Sequence, residues 1–140
     1  MQGGGTQKNL DYLIKSLEKK NDVNISLLTL NAQDKDAFNF SKGIRRFSLP
    51  LNKHSESLFN AIINNYQRIK RLRNFFFKNE FDTIVSFLTS TNVLTVISPL
   101  GLESKIIICE RNDPSRQKIK MYWRVLRFLI FGLCDKLICN

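Results

Sequence analysis

The chain has one histidine, three cysteines, three prolines and one tryptophan in 140 residues, and 12 acidic residues against 22 Lys and Arg. Each shortage excludes something. The lone His54 lies in a polar stretch, LNKHSES, with no second histidine and no carboxylate pair beside it, so no metal-ligand spacing can be read and no metal is expected. Three cysteines are an odd number without a Cys-x-x-Cys pair, and Cys109, Cys134 and Cys139 all sit in apolar runs. A disulfide framework does not fit, and all three are expected as small core hydrophobes in a reducing compartment. The longest uninterrupted apolar run, Phe128 to Cys134, falls far short of the roughly 20 residues that span a bilayer. The opening MQGGGTQKNLDYLIKSLEKK places no apolar stretch behind a basic start, so it does not read as a secretory signal and a cytoplasmic location is expected. No carboxylate pair and no histidine stands out as a catalytic base, which leaves catalytic residues unassigned.

What is present is core material. At 43% hydrophobic, with eleven Phe, the chain suits a single globular domain over residues 1–140. Leu10, Leu13, Ile14 and Leu17 recur at helical spacing, and Thr6 is placed to cap that helix. Val23–Leu30 and Ile44–Leu49 read as strands, the second closed by Pro50. A long helix is expected from Ser55 to about Asn79, with Leu58, Ile62, Ile69, Leu72 and Phe76 on one face and Arg68, Arg71 and Lys78 opposite. Phe81–Leu88 reads as a nearly continuous buried strand, Thr91–Leu100 as a short helix and Ser104–Cys109 as a strand. A last helix follows from Pro114 to about Gly132, and Asp135–Cys139 reads as one more strand. This alternation predicts an α/β fold: a Rossmann-like open, mostly parallel sheet with helices on both faces. A glycine-rich turn normally follows a strand, and none precedes Gly3, so the domain is expected to lack its first strand and to be truncated at both ends.

In a parallel sheet, ligands bind beyond the carboxyl ends of the strands. Three segments occupy that edge: Gly3-Gly4-Gly5-Thr6, Thr89-Ser90-Thr91-Asn92 and Glu110-Arg111-Asn112-Asp113-Pro114. Glycines let backbone amides approach a ligand at a helix N-terminus, Thr91 and Asn92 offer donors and acceptors, and Arg111 offers a planar cation beside Asn112. Together they suit a phosphorylated or hydroxyl-rich ligand. Each also has a structural reading: a flexible turn for the glycines, N-capping for the Thr-Ser-Thr-Asn run, and a cap plus first-turn proline for Asp113-Pro114. The glycine run lacks both the GxGxxG spacing and the P-loop lysine, so a nicotinamide fingerprint and an NTPase loop are rejected.

The order GGGTQKNLDYLIKSL, LLTL, DTIVSFLTSTNVLTV, IIICERNDPSRQK and a basic aromatic helix ending in CDKLI resembles the N-terminal domain of family 4 glycosyltransferases of the two-domain B fold. The resemblance spans essentially the whole chain. Its most specific parts, VSFLTSTN and ERNDP, are similar to bacterial members that build capsular, exo- or lipopolysaccharide chains. It implies an acceptor-binding N-terminal domain, a donor-binding C-terminal domain absent from these residues, and transfer in the cleft between them with retention of configuration. A nucleotide sugar would be the co-substrate, a glycan or lipid-linked acceptor the partner, and no cofactor or metal is needed. Gly3, Gly4 and Gly5 match the family's glycine loop, and Arg111 and Asn112 fall where the family places cleft residues. Thr6-Gln7 departs from the common Ala-Glu pair, and the paired-glutamate motif of the donor domain is missing, so residues 1–140 alone are expected to be inactive.

The net charge of +10 needs its own account. At about 100° per residue, Arg116, Lys120, Arg124 and Arg127 form one stripe of the last helix, flanked by Trp123 on one side and by Met121 and Phe128 on the other. The stripe fits the face of an enzyme resting at the inner surface of an anionic membrane. It fits equally a solvated face whose long stems cover apolar surface. A non-catalytic basic binding module for nucleic acid is the rival class, and the placement of the aromatics in apolar runs, away from an exposed strand surface, argues against it.

Overall fold

The computed structural model describes residues 5–20, 22–30, 44–51, 58–110 and 121–139. The chain forms two compact units, Met1–His54 and Ser55–Asn140. Both are α/β with parallel strands, as the alternation of sequence patterns requires.

In the first unit, α1 (Gly5–Glu18) precedes β1 (Ser26–Thr29) and β2 (Arg45–Ser48), which pair in parallel with Ser26 opposite Arg45 and Thr29 opposite Ser48. Ile14 of α1, Leu27 of β1 and Ile44 form the core, with Leu10 and Ile25 packed against them. Lys15 Nζ lies 2.7 Å from Asp11 Oδ2, one helical turn away on the outer side. Exposed i,i+4 pairs of this kind contribute only a few tenths of a kcal/mol, so the apolar face carries this helix. The helix begins at Gly5, which makes Thr6 its second residue and not the cap read from the sequence.

The second unit is a three-stranded parallel sheet, in the order β3 (Thr83–Phe87), β4 (Lys105–Glu110), β5 (Lys136–Cys139), with α2 (Leu58–Asn79), α3 (Thr89–Ile97) and α4 (Met121–Ile130). α3 packs against β3, β4, α2 and α4. Its Val96 joins Ile106 and Ile108 in the core, with Ile130, Phe131 and Cys134 alongside. Arg73 of α2 donates to the carbonyls of Ser98 (3.1 Å) and Leu100 (2.6 Å), placing a cation at the C-terminal end of α3, where the helix dipole favours one. α2 has no Gly or Pro to interrupt it. It ends where Glu80, at φ 49, returns its N–H to Phe76 O (3.1 Å) in a left-handed cap.

Three details depart from the sequence reading. On α2, Leu72 and Phe76 are buried, but Ile62 is exposed and Arg68 is half-buried. Arg68 and Ile62 stand about 60° to either side of the middle of the Leu72–Phe76 face, so helical angle alone does not decide which of them is covered. β3 alternates and is not continuously buried: Ile84 and Ser86 point to α3, and Val85, on the other face, is 39% exposed. Of the three cysteines only Cys109 is core. Cys134 is half-buried and Cys139 is exposed, because none of the four residues of β5 is covered by the described residues. Among the described residues, no helix is long and apolar enough to cross a membrane.

Candidate functional site

Parallel strands send all their carboxyl ends to one edge, and ligand sites of such sheets lie there. In the second unit, the turn from β3 into α3 takes a single residue, Leu88, at φ 76 and ψ 134. A bulky side chain held in so sparsely populated a backbone region costs roughly 1–3 kcal/mol. Such strain concentrates at functional edges. Leu88 is also the N-cap of α3 and offers no side-chain hydrogen bond. The Thr-Ser-Thr-Asn run is therefore not the cap its residue types suggest: it forms the first turn of the helix, because the chain reverses too sharply for a capping loop.

A buried polar cluster lies under this turn. Ser86 Oγ donates to Asn92 Oδ1 (2.8 Å), and Asn92 Nδ2 donates to the carbonyl of Cys109 (3.1 Å). Thr89 Oγ1 donates to Glu110 Oε2 (2.8 Å). Asn92 has no solvent exposure, and Ser86, Thr89 and Glu110 are all buried. These bonds join β3, the first turn of α3 and the end of β4. Buried polar groups left without partners are costly, so the cluster locks the two strand ends at one separation. Glu110 Oε1 is the exception: it is buried and has no hydrogen-bond partner among the described residues.

Of the residues singled out in the sequence, Thr91 is half-buried in the first turn of α3, and Asn92 lies beneath it with both ends of its amide bonded inside the protein. Gly5 is the first residue of α1. Gly3, Gly4, Arg111, Asn112, Arg116 and Lys120 lie outside the described residues, as does His54. The sequence places Thr89 and Glu110 in two of the edge segments without giving either a role of its own, and does not single out Ser86. The signal for Ser86 and Glu110 is a polar residue inside an apolar strand, as in TIVSF and KIIICE, which an edge-strand or surface reading does not explain.

On α4, Arg124 is exposed and Arg127 and Trp123 are half-buried. Arg127 stacks its guanidinium over the Phe131 ring (5.6 Å), and the Trp123 ring lies against Tyr122 (5.2 Å between centroids). No residue of α4 is fully buried, and Phe128 is 88% exposed, with Met121, Val125 and Leu129 also open. The described outer face is therefore more apolar than basic. In the first unit, a hollow of about 390 Å³ is lined by Glu18, Asn24, Ser26, Arg45 and their neighbours. It sits at the amino ends of β1 and β2, the edge opposite to that of ligand sites in parallel sheets, and adds nothing to the site.

The chain is 26% identical over 137 residues to a Campylobacter jejuni protein named GalNAc-α-(1→4)-GalNAc-α-(1→3)-diNAcBac-PP-undecaprenol α-1,4-N-acetyl-D-galactosaminyltransferase. The relationship is to a glycosyltransferase. The alignment takes in 98% of this chain and 37% of that protein, so the chain spans little more than a third of its relative's length. No family model matches the chain.

Proposed function

We propose that residues 1–140 are the acceptor-side N-terminal domain of a family 4 glycosyltransferase of the two-domain B fold, which moves a sugar from a nucleotide-sugar donor to a lipid-linked glycan in polysaccharide biosynthesis. The alignment over 98% of the chain to a transferase acting on an undecaprenol-linked glycan carries this reading. The parallel α/β units with their ligand edges agree with it. On this reading Gly3, Gly4 and Gly5 form a loop at the N-terminus of α1 that meets phosphate or acceptor, Thr91 and Asn92 shape the edge at α3, and Arg111 and Asn112 extend it after β4. The donor nucleotide is held by residues outside 1–140, transfer retains configuration, and residues 1–140 alone transfer nothing. Positioning of the two substrates and stabilisation of the departing phosphate supply the catalysis.

A lipid-linked acceptor is met at a membrane. The open apolar face of α4, with Arg124 beside it and Arg116, Lys120, Trp123 and Arg127 in the same segment, suits a peripheral enzyme at the inner face of an anionic membrane.

The experiment is to express the complete reading frame that contains this chain and measure nucleotide release from a panel of nucleotide sugars, UDP-N-acetylgalactosamine included, with and without an undecaprenol-linked glycan. Acceptor-dependent release is expected, with Arg111→Ala lowering kcat/KM about tenfold or more, the scale of a lost charge-assisted hydrogen bond. Absence of release from every donor overturns the reading.

A further inference from the structure

We propose that α2 makes membrane binding depend on lipid charge: its outer face lies on an anionic bilayer, with Tyr66 and Phe77 among the headgroups and Lys70, Arg71 and Lys78 against their phosphates. This rests on the reading of a lipid-linked acceptor and names the element that selects the surface on which it is met.

α2 carries five cations, Arg68, Lys70, Arg71, Arg73 and Lys78, and no acidic residue. Arg68 and Arg71, and likewise Lys70 and Arg73, are like charges at i,i+3, a spacing at which they repel. Arg73 is engaged by the carbonyls of Ser98 and Leu100. Lys70, Arg71 and Lys78 are exposed and form no ion pair among the described residues. The helix dipole accounts for Lys78 in the last turn. It does not account for Lys70 and Arg71, which stand in the middle of the helix, where its effect has fallen off.

Apolar side chains share this outer face. Ile62, Tyr66 and Phe77 are each about two-thirds exposed, and Ile63 is open beside them. At about 100° per residue, Ile62, Tyr66, Phe77, Lys70 and Ile63 fall within about 100° of the circumference, with Lys78 and Arg71 about 60–80° further round. An apolar and aromatic stripe bordered by Lys and Arg suits a helix lying in the plane of a membrane interface, where the long stems carry their charges up to the headgroups. A nucleic acid would meet the cations but offers nothing to the two isoleucines, whereas an anionic bilayer meets both.

α4 does not supply this charge dependence. Its open side chains Met121, Val125, Phe128 and Leu129 are apolar, and of its two cations Arg127 is stacked on Phe131, which leaves Arg124. Apolar area enters neutral and anionic bilayers alike, whereas each Lys or Arg at an anionic surface strengthens binding about fivefold.

The test is co-sedimentation of the complete protein with vesicles of phosphatidylcholine alone, and of phosphatidylcholine and phosphatidylglycerol in equal parts, across a salt series. Wild type is expected to prefer the anionic vesicles, less so as salt rises. The triple variant Lys70→Gln, Arg71→Gln, Lys78→Gln is expected to bind them about a hundredfold more weakly, with a flattened salt dependence. Its thermal midpoint and its binding to neutral vesicles are expected to be unchanged. Anionic binding equal to wild type overturns the proposal, as does a wild type that binds both vesicles alike. A mixed-sequence RNA whose binding falls in the variant while vesicle binding does not makes the occupant nucleic acid and overturns it too. Nucleotide release is assayed on the same samples. Vesicle binding through α2 without release from any donor overturns the transferase reading alone, and sugar transfer by a protein whose triple variant sediments like wild type overturns the role of α2 alone. Should the triple variant fail to fold, Lys70→Gln and Lys78→Gln taken singly are each expected to lower anionic binding about fivefold, and unchanged binding in both rejects the proposal.

Discussion

Cys134 and Cys139 lie five positions apart, one on each side of the start of β5, and their surroundings assign them different chemistry. Burial pushes the Cys134 thiol above its ordinary range, and its S–H donates to Phe131 O at 3.0 Å, which keeps it protonated. Thiolate is the reactive form, so at neutral pH Cys134 is a poor nucleophile. The sign for stability follows. A thiol whose folded value is raised contributes stability fully present below its unfolded value and lost as pH rises through the folded one. Cys139 is exposed and Cys109 is buried in β4. A disulfide reagent at pH 7.5 is expected to modify Cys139 first, Cys134 more slowly and Cys109 only on unfolding, which mass spectrometry of timed samples checks. Modification of Cys109 in the first phase contradicts the burial of β4.

At the scale of elements, α3 is the centre of the second unit: it is buried on most sides, and its start is held by side chains in place of a cap. Asn92 links β3 to β4 through α3, accepting from Ser86 and donating to the Cys109 carbonyl. Asn92→Ala removes both bonds and leaves a buried hydroxyl and a buried carbonyl unpaired, each at about 1–3 kcal/mol. A loss of about 3 kcal/mol is expected in urea unfolding followed by circular dichroism, and a change within 0.5 kcal/mol shows that the cluster does not lock the strands. The same cluster explains why the candidate edge is legible only in part. The strand-to-helix turn was expected near Thr89-Ser90-Thr91-Asn92, but the helix begins two residues earlier than its apolar spacing indicates, at Thr89, because Leu88 turns the chain alone.

At the scale of the whole molecule, charge and exposed apolar surface bear on the proposal of a lipid-linked acceptor. The sequence shows a basic stripe on the last helix, yet Arg127 is drawn onto Phe131, and Phe128, Leu129, Val125 and Met121 face outward. Phe128→Asp changes a residue that is 88% exposed, so the unfolding free energy is expected to stay within about 0.5 kcal/mol. Binding to vesicles containing anionic lipid is expected to fall about tenfold, measured by co-sedimentation at two salt concentrations, because the substitution removes apolar area and adds repulsion. Undiminished vesicle binding removes α4 from the membrane reading.

The sequence by itself determined the elements and their kind. Among the described residues, periodicity located the four α-helices and the five strands, and the helix–strand alternation with apolar strands sufficed for a parallel α/β fold, since neither depends on distant contacts. The tertiary structure alone decided which polar groups meet. Ser86 and Asn92 are 6 residues apart, Asn92 and Cys109 are 17, and Thr89 and Glu110 are 21, and nothing in local pattern pairs them. It also decided that Cys139 is bare, because side-chain exposure on a strand depends on what packs over the sheet faces, and none of the described residues covers β5. Local spacing encodes which face a side chain takes on its own element, whereas the neighbour it meets there is set by how the strands are ordered and how tightly the chain turns between them.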